Sequence, residues 1–88
     1  MDSRYRLDGK VAVVTGCASG VGESVAKLFT ERGSKVLAVD VNADGLESAM
    51  EGVKNVVAMP QDVTDSNAAE IIIDAALQNF GQVDILIN

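Results

Sequence analysis

Apolar positions along this chain follow two rhythms that alternate. "VAVVT" from Val11 to Thr15, "KVLAV" from Lys35 to Val39 and "NVVAM" from Asn55 to Met59 are nearly continuous apolar runs, as in strands covered on both faces. Between them the apolar spacing lengthens to three and four. From Gly20, the residues Val21, Val25, Leu28 and Phe29 recur at helical intervals, and Gly33 is placed to end that helix. Leu46, Ala49 and Met50 share one face of a shorter helix that Asn42 can cap and Gly52 can close. Pro60 is expected to stop the third strand, and Asp65 or Ser66 to cap a third helix. In that helix Ala69, Ile72, Ile73, Ala76, Leu77 and Phe80 form the apolar stripe, which ends at Gly81. "VDILIN", Val83 to Asn88, reads as a fourth strand.

The order β-α-β-α-β-α-β with short connections calls for a Rossmann-type α/β fold. Its doubly wound parallel sheet has right-handed crossovers and helices on both faces. Strand order 3-2-1-4 would leave "VDILI" at an edge, an apolar template for pairing. No linker, repeat or low-complexity tract breaks residues 1–88, so the chain reads as one unit. Its 88 residues suffice for one domain, which would bury roughly 60–65% of the unfolded surface. With aromatics at only 3%, the core is expected to be aliphatic.

In such a sheet a ligand crevice opens outside the carboxyl ends of the strands, and the first strand–helix turn brings a phosphate to a helix N-terminus. Gly16, Gly20 and Gly22 lie in that turn. Glycine permits a left-handed backbone, lets N–H groups approach an anion, and allows a helix to pack closely on a strand. The spacing is Gly-x-x-x-Gly-x-Gly, and no Gly-Lys-Ser/Thr follows, which excludes a Walker loop and an NTPase. Asp40 closes the second strand, where a carboxylate can accept hydrogen bonds from both ribose hydroxyls of an adenosine and repel a 2′-phosphate. The following "DVNADG" offers no Arg or Lys to hold that phosphate, so NAD is expected over NADP. After the third strand, Asp62 is placed to meet the adenine amine, with Val63 supplying an apolar surface and a backbone N–H. "QDVTDS" also reads as a plain capping loop.

Charge and composition narrow the chemistry. Thirteen acids against seven bases give a net charge of −6, which repels a polyphosphate backbone and argues against nucleic-acid binding. With no histidine and one cysteine, Cys17, neither a disulfide framework nor a nitrogen or thiolate metal site is expected. No apolar run is long enough for a membrane span, and "MDSRYRLDGK" has no signal-like core, so a cytoplasmic location is expected.

These residues also carry a family likeness. "TGCASGVG", Thr15 to Gly22, resembles the Thr-Gly-x-x-x-Gly-x-Gly cofactor loop of the short-chain dehydrogenase/reductase family, and "LDGKVAVVTG" resembles its usual opening. "VDILIN" is similar to the family strand that runs into Asn-Asn-Ala-Gly, with Asn88 as the first Asn. The resemblance implies that residues 1–88 are the N-terminal part of an NAD-binding domain, ending with the fourth strand. It further implies that Gly16, Gly20 and Gly22 line the pyrophosphate, with Ser19 and the backbone at Val21 touching it. Asp40 would take the adenosine ribose, Asp62 and Val63 the adenine, and Asn88 would border the inner ribose. Ser19 fits NAD because NADP-using relatives often carry a basic residue there. Cys17 occupies a variable loop position, where a thiol at a helix N-terminus can have a lowered pKa.

The implied activity is an oxidoreductase interconverting a secondary alcohol and a ketone by hydride transfer, in a family that commonly forms homo-oligomers. Its chemistry uses a Ser and a Tyr-x-x-x-Lys pair, and neither arrangement is found here: the one tyrosine, Tyr5, has Gly9 four residues on. The chain is therefore expected to bind the adenosine end of NAD and not to catalyse by itself. Two other readings compete. One is a non-catalytic dinucleotide-binding or interaction module. The other is an S-adenosylmethionine methyltransferase, against which the glycine spacing argues.

Overall fold

The structure, a computed structural model, describes residues 6–88; Tyr5 lies outside the described residues. Strands β1 (Val11–Thr15), β2 (Lys35–Asp40), β3 (Val56–Pro60) and β4 (Ile85–Ile87) alternate with helices α1 (Gly20–Glu31), α2 (Ala43–Met50) and α3 (Ala68–Phe80). The four strands form one parallel sheet in the order β3-β2-β1-β4, as the element pattern implies.

The continuous apolar strands serve two cores at once, because successive side chains point to opposite faces. Ala12 and Val14 of β1 and Val36 and Ala38 of β2 pack with Cys17, Ala26, Leu46 and Met50 beneath α1 and α2. Val13, Leu37 and Val39 pack on the other face with Ala68, Ile72 and Ala76 of α3. The sheet is the middle of three layers, and β1 and β2 are buried along nearly their whole lengths.

Three local expectations need correction. Pro60 does not stop β3 but is its last residue. The ladder to β2 runs through Val36 N–H to the Asn55 carbonyl at 2.9 Å and Gln61 N–H to the Asp40 carbonyl at 3.0 Å. Alternation then turns Pro60 toward the open edge, where a missing N–H breaks no bond. Neither Asp65 nor Ser66 is the residue preceding α3; Asn67 is, without a side-chain cap. Asp65 still helps to order that end, its carboxylate accepting from Asn67 N–H at 2.9 Å and its carbonyl from Ala68 N–H at 3.0 Å. The buried line of α3 runs through Ala68, Ile72 and Ala76, whereas Ala69 is exposed and Leu77 is 46% exposed. The helix is rotated so that Ala69, Ile73 and Leu77 flank the sheet instead of covering it. The other helix ends follow the expected chemistry: Asn42 accepts from Gly45 N–H at 3.0 Å, and Gly81 takes the left-handed conformation at φ 81°.

The fourth strand is shorter than "VDILIN". Val83 instead packs against the α3-side core, and Asp84 uses its carboxylate to accept from Val11 N–H at 2.8 Å. The side-chain amide of Gln82 donates from Nε2 to the same carboxylate at 2.7 Å. This joins the entry points of β1 and β4, which lie far apart in sequence. Both strands then run side by side to the crevice end of the sheet.

Candidate functional site

Strands β1, β2 and β3 step outward in one direction and β4 returns on the other side of β1, which makes the β1–β4 boundary the topological switch point. Thr15 lies at this point, its hydroxyl donating to the Ile87 carbonyl at 3.4 Å. The loop after Thr15 starts at Gly16, whose φ of 72° suits glycine and turns the chain sharply. Cys17 then dips into the core: its N–H donates to the Val39 carbonyl at 3.1 Å and its Sγ–H to the Val14 carbonyl at 3.0 Å. The thiol is 0% exposed, and burial pushes its pKa up to about 11, with the charge of Asp40 acting in the same direction. Cys17 is thus not a loop filler but a core residue pointing away from the crevice, and its burial outweighs any effect of the helix N-terminus on the thiol.

The glycines of the loop do different jobs. Gly20 opens α1 with φ 62°, and nothing lies within 4 Å of where its side chain would project. Gly22 has an ordinary backbone, but an added Cβ would overlap the Gly16 carbonyl oxygen and come within 2.9 Å of the Thr15 carbonyl oxygen. Its absence of a side chain lets α1 start directly on the end of β1. Ser19 precedes α1 in extended conformation, and its hydroxyl does not cap the helix. Val21 is 81% exposed beside it. The first turn of α1 thus presents backbone N–H groups that have no carbonyl behind them, next to an unengaged hydroxyl. An anion is the natural partner of that arrangement.

Asp40 stands at the end of β2, adjacent to the loop. Its Oδ2 accepts from Ala18 N–H at 3.0 Å and its Oδ1 from Asn42 N–H at 2.9 Å. One carboxylate therefore joins the glycine loop to the turn leading into α2. Gly45, in the first turn of α2, closes the same junction: a Cβ there would lie 2.6 Å from Asn42 Nδ2 and 3.3 Å from the Ala18 Cβ.

Asp62 and Val63 follow β3 along the same end of the sheet. Asp62 is exposed, and its Oδ1 accepts from the Thr64 hydroxyl at 2.6 Å and from Thr64 N–H at 2.8 Å. The Thr64 hydroxyl, then the amide, hold the Asp62 carboxyl below the usual carboxylate range. Val63 is exposed and lines an apolar cleft of about 200 Å³ with Thr15, Ala68, Ile72, Leu86 and Asn88. The loop, Asp40, Asp62, Val63 and Asn88 thus all lie at the carboxyl ends of the strands.

Two features escaped the sequence reading. Val41, just past Asp40, is 68% exposed at the crevice end; an apolar residue directly after a strand-closing aspartate was the available signal. The link from Asp40 to Ala18 N–H had no such signal, because it is a contact between two loops. A larger concavity of about 570 Å³ lies elsewhere, beside the open edge of β3, between Met50 of α2, the Glu51 that follows it, and Val56 and Ala58 of β3. Among the described residues, no helix is long and apolar enough to cross a membrane, and no group of His, Cys, Asp and Glu is placed to hold a metal ion.

Comparison with known proteins agrees with this geometry. Residues 10–88 match the family model for short chain dehydrogenase. The chain is 39% identical to D-threitol dehydrogenase of Mycolicibacterium smegmatis, over 100% of this chain and 35% of that protein. It is similar to the crystal structure of 3-ketoacyl-(acyl-carrier-protein) reductase from Brucella melitensis complexed with NADH. That match has a TM-score of 0.85 and 40% identity, covering 91% of this chain and 34% of the other. A short chain dehydrogenase/reductase from Burkholderia phymatum in complex with NAD matches with a TM-score of 0.87 and 32% identity, over 93% of this chain and 31% of that one. The chain spans about a third of the length of these relatives. With its parallel β3-β2-β1-β4 sheet and a glycine loop at the switch point, this chain belongs to the short chain dehydrogenase family.

Proposed function

We propose that this chain binds the adenosine diphosphate portion of NAD and supplies that half of the site in an oxidoreductase interconverting a secondary alcohol and a ketone. The observation that carries the reading is the pairing of an open helix N-terminus at Ser19–Gly22 with the carboxylate of Asp40 on the neighbouring strand. The relatives solved with NADH and NAD support it.

The residues present fit the group. Gly16, Gly20 and Gly22 shape a cradle without side chains, and the backbone at Val21 and the hydroxyl of Ser19 donate to the pyrophosphate. Each oxygen of Asp40 accepts one backbone N–H, and a carboxylate oxygen has capacity for a second bond, so both remain able to accept from ribose hydroxyls. Asp62 and Val63 border the adenine, with Val41 as a second apolar wall, and Asn88 lies toward the inner ribose. NAD, when bound, supplies the hydride acceptor; the residues of this chain bind and orient it. Residues 1–88 act as one cofactor-binding unit, whose role is to bind and orient the cofactor.

Isothermal titration of the 88-residue chain with NAD and NADP tests the reading. NAD is expected to bind more tightly, and Asp40→Arg is expected to shift the preference toward NADP by about tenfold, the scale of one charge-assisted contact. Absence of NAD binding, or a preference that Asp40→Arg leaves unchanged, would overturn it. A second reading is a non-catalytic dinucleotide-binding module. Turnover of a secondary alcohol by the chain in its cellular form would exclude that alternative.

A further inference from the structure

We infer that Asp40 is a positioning residue for the glycine loop, so that the ribose end and the pyrophosphate end of the proposed NAD site are coupled through one carboxylate. This rests on the cofactor reading above and deepens it. Cys17 fixes the lower part of the loop, by N–H to the Val39 carbonyl at 3.1 Å and by its buried thiol. Ala18 is the next residue, and its N–H goes to Asp40 Oδ2 at 3.0 Å. That bond fixes the Cys17–Ala18 peptide, one residue before Ser19, whose hydroxyl is free of the helix and which immediately precedes α1.

The other oxygen of Asp40 is held by Asn42 N–H at 2.9 Å, and Asn42 in turn caps α2 through Gly45 N–H at 3.0 Å. The carboxylate is thus oriented from the α2 side and delivers that order to the loop. A neutral acceptor holds such a bond less well than a charged one. Replacing Asp40 would therefore remove more than the ribose contacts: it would release Ala18 and loosen the pyrophosphate cradle for either cofactor.

Two measurements test this. In the protein without ligand, amide hydrogen exchange at Ala18 is expected to accelerate about tenfold in Asp40→Ala, and less in Asp40→Asn, while Cys17 N–H stays protected. Unchanged exchange at Ala18 in both variants would overturn the inference. The second measurement uses 2′,3′-dideoxyadenosine diphosphate, which has no ribose hydroxyl for Asp40 to accept from. Asp40→Ala is expected to weaken its binding about three- to tenfold. Removing a carboxylate near a diphosphate should by charge alone strengthen binding, so equal or tighter binding would also overturn the inference. If the wild-type chain binds no NAD, the cofactor reading falls, and exchange at Ala18 still decides whether Asp40 holds the loop.

Discussion

At Gly22 two backbone preferences oppose one another, and the contact distances decide between them. Alanine inside a helix is favoured over glycine by about 1 kcal/mol. A Cβ at Gly22, however, would meet the carbonyl oxygens of Gly16 and Thr15, which are backbone atoms fixed by the end of β1. Such overlap costs about 1–3 kcal/mol or forces the helix away from the strand. Gly22→Ala is therefore expected to lower the unfolding free energy in urea, and by more than Gly20→Ala, where space is open and only the φ of 62° resists. Equal costs for the two variants would refute the close-approach role of Gly22. At this scale the sequence was legible in type but not in assignment. Three glycines in one turn announced a cradle, while the division of labour among them depends on where carbonyl oxygens lie. Cys17 is the converse case, a loop residue by position that the fold makes part of the core.

Between elements, the junction of β1 with β4 depends on a side chain. Asp84 accepts from Val11 N–H and from Gln82, and these bonds, with the nearby charge of Lys10, hold its carboxyl below the ordinary carboxylate range. Because the folded pKa is depressed, the ionised form favours the native state; this contribution is present above the unfolded pKa and is lost as pH falls through the folded value. Urea unfolding at neutral and acidic pH should show stability falling with acid, and Asp84→Asn should flatten that dependence. Asp8 beside Arg6 and Asp62 beside Thr64 are depressed too, so part of the acid slope should remain in the variant. An unaltered slope would show that the Asp84 pairing does not contribute. The sequence displayed each element, but not that "VDILIN" divides into a capping Asp84 and a short Ile85–Ile87 strand. Nor did it give the rotation of α3. Periodicity reports which residues share a helix face, and the neighbouring strands decide how that face is turned.

For the whole molecule, the proposed site gathers residues from all four strand ends and the helix that follows the first. A ligand bridging them should bind the native chain and not the unfolded one. NAD at a hundredfold excess over its dissociation constant would then add about 2.7 kcal/mol to stability. For a domain of this size that corresponds to a rise in melting temperature on the order of 10 °C. NADP at the same concentration should give a smaller shift. Equal shifts would remove Asp40 as the discriminating group.

The sequence by itself determined the fold class, the alternation of elements, the parallel sheet and the glycine loop, because burial on both faces and helical spacing are written along the chain. It also marked Asp40, Asp62, Val63 and Asn88 as residues at strand ends. Tertiary structure alone decided that Cys17 is buried, that Pro60 belongs to β3, and that Asp40 bonds Ala18 N–H. Each of these depends on which backbone group of a distant segment lies within hydrogen-bonding or packing distance, and one-dimensional spacing does not encode that.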